Sequence, residues 1–152
     1  MLTFFRPPTR PGRRRTGESD VPEQQAGWHV LFVEDEPDLL TTSVMLLERL
    51  GFRVTGVTSG TDALTALARG DAGFDILITD YFMPGMDGLT LIREARQVCG
   101  NLPVIVLSGM GTAIDQAILD PLAPVRVLGK PARREDLVTA IWQAVDGAER
   151  AG

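Results

Sequence analysis

Five short apolar runs, separated by stretches with helical periodicity, constrain this chain more than any other feature. They are His29 to Val33, Phe52 to Val57, Phe74 to Thr79, Pro103 to Leu107 and Val125 to Leu128. Each is rich in Val, Ile, Leu or Phe, and several lack polar alternation, the pattern of strands buried on both faces of a parallel sheet. Parallel neighbours need right-handed crossovers, so the stretches between them are predicted to be helices covering the sheet on both sides. The fold class that follows is α/β, a doubly wound five-stranded parallel sheet between two helical layers.

The helical stretches have legible ends. Pro37 opens the first, where no amide donor is needed, and Gly51 follows Leu50 as its C-terminal cap. Ser59 is the predicted N-cap of a second helix from about Gly60 to Gly70. A third runs from Asp87 to Val98, closed by Gly100. A short fourth spans Thr112 to Leu119 and is broken by Pro121. The fifth places Leu137, Ala140, Ile141, Ala144 and Val145 on one face, with Glu135 and Asp136 in the first turn, where the helix dipole favours acids.

With 152 residues, 44% of them apolar, the chain has the material for one core. The net charge of −5 is uneven: residues 1–27 carry five Arg against three acids, and residues 28–152 carry ten Lys and Arg against seventeen acids. An acidic body lacks the broad basic face that nucleic-acid binding requires, so no nucleic acid is expected as a partner. The first 27 residues hold an Arg13-Arg14-Arg15 run and several Pro and Gly, and are expected to be a disordered N-terminal tail. The folded body is then expected over 28–148, with a short tail at 149–152. A lone Cys99 excludes an internal disulfide and reads as a small apolar residue in a reducing compartment. No apolar run approaches the roughly 18 residues of a membrane span, so the expected location is cytoplasmic.

Ligands of doubly wound folds bind beyond the carboxyl ends of the strands, where strand order reverses. Here the first strand ends in Glu34-Asp35-Glu36, the third in Asp80, the fourth in Ser108 and the fifth in Lys130-Pro131. Any one polar strand end is ordinary; acids, a hydroxyl and an ammonium converging on one rim are not explained by packing. Carboxylates at close range repel, and a hard divalent cation such as Mg²⁺, which takes oxygen ligands, relieves this. Lys130 and Ser108 supply the charge and donor that an incoming phosphoryl group needs. Asp80, alone at the end of a central apolar strand, is the best candidate for a carboxylate nucleophile that forms an aspartyl phosphate.

These motifs, taken in order from Trp28 to Val145, resemble the receiver domains of bacterial response regulators, the chemotaxis-regulator-like family of two-component signalling. Val30 to Pro37 is similar to the family's acidic-pair motif. Phe74 to Asp80 followed by Met83-Pro84-Gly85-Met86-Asp87-Gly88 is similar to its phosphoacceptor strand and loop. Pro103 to Gly109 resembles the strand ending in the switch hydroxyl, and Lys130-Pro131 the lysine before a cis-bonded proline. The resemblance implies a flavodoxin-like (βα)5 three-layer sandwich in which Glu34 and Asp35 bind Mg²⁺, Asp80 is phosphorylated and touches the metal, and the Phe82 carbonyl adds a ligand. Ser108 and Lys130 would contact the phosphoryl group, and Gly85 and Gly88 would turn the loop at positive φ. The implied donor is a histidine kinase or histidine phosphotransfer protein. The implied output is a protein–protein interaction with a downstream target, and the only catalysis implied is the domain's own phosphorylation and dephosphorylation.

Three departures bear on the readout. Val127 stands where the family usually keeps a switch aromatic, three residues before the lysine. Pro121 and Pro124 stiffen the approach to the last strand. Phe82 and Met110, two residues after the acceptor and the hydroxyl, are bulky and apolar, and predict slow loss of the phosphoryl group through restricted water access. An aspartyl-nucleophile hydrolase is disfavoured because Phe82 occupies the place of its second acid. A phosphorylation-independent interaction module, and the terminal receiver of a hybrid histidine kinase, are the alternatives; an initiating Met1 and the few residues after Val145 favour a stand-alone receiver without a DNA-binding output domain. His29 at a strand start reads as structural rather than as a relay histidine. A homodimer through the last helix and strand stays open, Trp142 being simplest as a packing residue.

Overall fold

The structure, a computed structural model, describes residues 27–70, 72–109 and 114–151, with side chains to residue 148. The expected disordered N-terminal tail and Met110 lie outside the described residues. Five strands alternate with five helices: β1 (His29–Val33), α1 (Pro37–Arg49), β2 (Arg53–Val57), α2 (Gly60–Arg69), β3 (Ile76–Asp80), α3 (Gly88–Val98), β4 (Val104–Ser108), α4 (Gln116–Leu119), β5 (Val125–Gly129) and α5 (Arg134–Ala151). A 3₁₀ turn, Asp120–Leu122, follows α4. The strands form one parallel sheet in the order β2-β1-β3-β4-β5, so the doubly wound flavodoxin-like prediction holds.

Strand alternation divides the core into two layers. Val30, Phe32, Ile76, Ile78, Ile105 and Leu107 face one side, against Leu47 of α1 and Leu137 and Ile141 of α5. Leu31, Val33, Leu77, Val104 and Val106 face the other, against Leu67 of α2 and Leu91 and Ile92 of α3. The three central strands are buried along their whole length, whereas β2 and β5 are edges and partly exposed. Trp142 packs against the first layer, as expected.

Local chemistry sets the helix ends. Pro37 stands at the start of α1, and Gly51 follows its last turn at φ 100°. The Ser59 hydroxyl accepts from the Asp62 amide at 3.1 Å, and the Asp87 carboxylate accepts from the Thr90 amide at 2.8 Å. Asp87 is therefore the cap of α3 rather than its first residue, and Cys99, not Gly100, closes that helix. The fourth helix is shorter than expected: Asp115 caps it by accepting from the Ala117 amide at 2.9 Å, which excludes residues 114 and 115. Residues 149–151, expected in a short tail, continue α5 instead; Glu149, Arg150 and Ala151 are good helix formers.

Candidate phosphoacceptor site

The switch in strand order falls between β1 and β3, because the chain winds outward to β2 on one side and to β4 and β5 on the other. At the carboxyl ends of these strands the predicted residues meet. Asp80 is the last residue of β3, in register with Leu107 of β4, and Ser108 is in register with Gly129 of β5. The Glu34 amide donates to Val57 O at 3.1 Å and the Lys130 amide to Ser108 O at 2.7 Å, so backbone bonds fix both ends of the rim.

Glu34, Asp35 and Asp80 each present a carboxylate oxygen within 4.8 Å of the others. Glu34 and Asp80 are buried, and Asp35 is half-buried. The Lys130 ammonium bridges two of them, at 2.5 Å from Asp80 Oδ1 and 3.3 Å from Glu34 Oε2. The Glu36 amide donates to Glu34 Oε1 at 3.2 Å. Lys130 joins Pro131 through a cis peptide bond, as the motif implied.

Electrostatics follow from this crowding. Burial, together with the hydrogen bond to Glu34, pushes the Asp80 carboxyl up to about 7, against the pull of Lys130. Burial raises Glu34 too, but hydrogen bonds from Asp80 and the Glu36 amide and the charge of Lys130 outweigh it and leave Glu34 below its ordinary value. Burial works against the charge of Lys130, yet its bonds to Asp80 and the field of both acids raise it above the usual lysine value. Three carboxylates thus share one ammonium, and the crowding falls on Asp80, whose carboxyl is the one pushed up. An all-oxygen donor set with unrelieved negative charge fits a hard divalent cation.

Neighbouring residues complete the setting. Ser108 is buried and its hydroxyl donates to Gly109 O at 3.4 Å. Phe82 is 66% exposed and meets Tyr81 edge-on at 4.7 Å between centroids. Val127 is 40% exposed on the edge strand. Gly85 has φ 82°, the left-handed turn expected of it. The expectation for Gly88 is corrected: its φ is not positive, and what it provides is close approach. A Cβ there would lie 2.5 Å from Asp80 O and 3.0 Å from Tyr81 Cα, and the Gly88 amide donates to Tyr81 O at 2.8 Å. The start of α3 is thereby pressed onto the backbone of Asp80 and Tyr81.

Two contributors went unnoticed in the sequence. Thr79, fully buried beside Asp80, donates its hydroxyl to Asp80 O at 3.1 Å; a β-branched residue inside an apolar run carries no signal of that role. The Glu36 amide is set by Pro37 opening α1, which is legible, but its bond to Glu34 is not. His29 stands at the opposite end of β1 and is structural: buried, with ring nitrogens 2.9 Å from Ala72 O and 2.8 Å from Thr55 Oγ1.

Comparison with known proteins agrees with this geometry. The response regulator receiver domain family matches residues 30–142. The response regulator receiver protein CpdR of Brucella abortus is 32% identical over 112 residues, covering 74% of this chain and 92% of CpdR. Several other curated relatives are longer, and the chain spans 20% to 50% of their length. A response regulator receiver domain from Clostridium thermocellum superposes with a TM-score of 0.74 at 30% identity, over 82% of this chain and 99% of that one. The receiver domain of sensor histidine kinase PA1611 from Pseudomonas aeruginosa, solved with magnesium in its active-site cleft, does so with a TM-score of 0.68 at 28% identity, over 80% of this chain and 99% of that one. With the acid cluster, the hydroxyl and the lysine gathered at the carboxyl end of a β2-β1-β3-β4-β5 sheet, this chain belongs to the response regulator receiver domain family.

Proposed function

We propose that Asp80 accepts a phosphoryl group from a phosphohistidine on a histidine kinase or a histidine phosphotransfer protein, and that the modified domain changes which protein it binds. The observation that carries this reading is the Asp80 carboxylate, buried at the end of β3 and gripped by Lys130. In the step itself an Asp80 carboxylate oxygen attacks phosphorus, the P–N bond to the donor imidazole breaks, and the imidazole leaves with the electron pair and takes up a proton. Glu34, Asp35 and Asp80, with the Phe82 carbonyl, would hold Mg²⁺. When bound, that ion neutralises charge on the transferring phosphoryl oxygens.

The protein's own groups do the rest. Lys130, already beside the nucleophile, pairs with a phosphoryl oxygen as charge moves outward, and Ser108 donates to another. The exposed Val127 side chain supports a readout that differs from an aromatic swinging inward, with the output carried by a protein-binding face.

The test is intact-protein mass after incubation with acetyl phosphate. A gain of one phosphoryl group in the presence of Mg²⁺, absent with chelator and absent in Asp80→Ala, is the expected result. No gain in any sample would instead favour an interaction module that works without phosphorylation.

A further inference from the structure

A cavity of about 420 Å³ opens between β5 and the C-terminal half of α5, within the range of roughly 300–1,000 Å³ typical of small-molecule sites. It lies at the opposite end of β5 from Lys130, roughly 15 Å along a five-residue strand. Its existence follows from side-chain size. The α5 positions over this edge are Ala144, Gly147 and Ala148, and a Cβ added to Gly147 would meet nothing within 4 Å. The strand offers Arg126 where an apolar side chain would have filled the gap. Val104 and Pro124 supply further apolar wall.

We propose that this cavity binds a small aromatic carboxylate, its ring between the apolar walls and its anion on Arg126. Among the described residues no acid lines the cavity, and Arg126, Asn101 and Gln143 give its polar lining. Arg126 Nη1 donates to the neutral Gln143 Oε1 at 3.1 Å, and among the described residues no carboxylate lies within ion-pair distance of it. Among the described residues Gln143 is the one side chain bonded to it, and most of its donor fork is open to an oxyanion. Outside the cavity, Arg96 donates to Pro124 O at 2.9 Å and to Leu122 O at 2.8 Å. Those bonds also fix the Pro124 wall, so the cavity is preformed.

The experiment is a titration of the ¹⁵N-labelled full chain with indoleacetate and with indoleacetamide, its neutral twin, followed by amide chemical shifts. Indoleacetate should move the amides of Asn101, Val104, Arg126 and Gly147, with affinity at least about tenfold above the amide, as expected for one charge-assisted bond. Arg126→Gln, at an exposed position, should lower indoleacetate affinity about tenfold while leaving phosphorylation of Asp80 unchanged. Equal binding of acid and amide, shifts confined to the rim around Ser108 and Lys130, or no shift at the four named amides would each overturn the proposal. The neutral twin decides the matter even if the variant folds poorly.

Discussion

Asp80 and Gly88 show how tightly the end of β3 is held by the backbone around it. The carbonyl of Asp80 receives the Thr79 hydroxyl, and the N-terminus of α3 is packed so close that no side chain fits at residue 88. In an ordinary helix Gly→Ala stabilises by up to about 1 kcal/mol. Here a methyl 2.5 Å from a backbone oxygen reverses the sign, and Gly88→Ala should cost about 1–3 kcal/mol in urea unfolding, as overpacking does. A stabilised variant would contradict the close approach. The convergence of Glu34, Asp35, Asp80 and Lys130 at one rim, with Ser108 at the end of the neighbouring strand, was legible in the sequence, because polar residues that end apolar runs of a parallel sheet have one place to go. The role of Gly88 was misread because a glycine advertises freedom from a side chain without saying whether φ or contact demands it.

At the scale of elements, the Arg96 side chain ties α3 to the neighbouring loops. Its guanidinium donates to the carbonyls of Leu122, Leu102 and Pro124, joining α3 to the entries of β4 and β5. Burial without a carboxylate partner lowers the guanidinium to about 10, so its charge is spent on backbone oxygens. Arg96→Met keeps the apolar stem but loses those donors, and should lower unfolding free energy by about 2 kcal/mol, with Arg96→Lys recovering part of it. Unchanged stability in Arg96→Met would show that the three bonds carry no weight. Nothing in the sequence marked Arg96, because a long-range bond to carbonyls leaves no local pattern. Helix ends were legible where a side chain caps them, as with Ser59; the start of α4 was missed because Asp115 was not weighed as the cap that ends the preceding loop.

Across the whole molecule, two buried titratable groups at opposite ends of the sheet oppose each other in the dependence of stability on pH. Burial holds His29 below its ordinary value, outweighing the bond to Ala72 O, and Arg53 adds to the depression. As pH falls below about 6.5 the unfolded chain therefore binds a proton that the folded one refuses, and stability drops. Asp80 runs the other way: its raised value makes the folded chain bind the extra proton, so stability is lost as pH rises towards about 7. In chelated buffer, His29→Gln should shift the change in stability from pH 6.5 to 5 in the stabilising direction, relative to the parent chain, by removing the first effect; an unaltered slope would contradict a depressed His29. The central claim is that the phosphoryl group is carried by one carboxylate, Asp80. Its most direct test is borohydride reduction of the chain after acetyl phosphate and Mg²⁺ treatment, followed by peptide mass spectrometry. Reduction confined to Asp80, and absent when Mg²⁺ is withheld, is the predicted result; reduction at Glu34 or Asp35, or at no carboxylate, would contradict it.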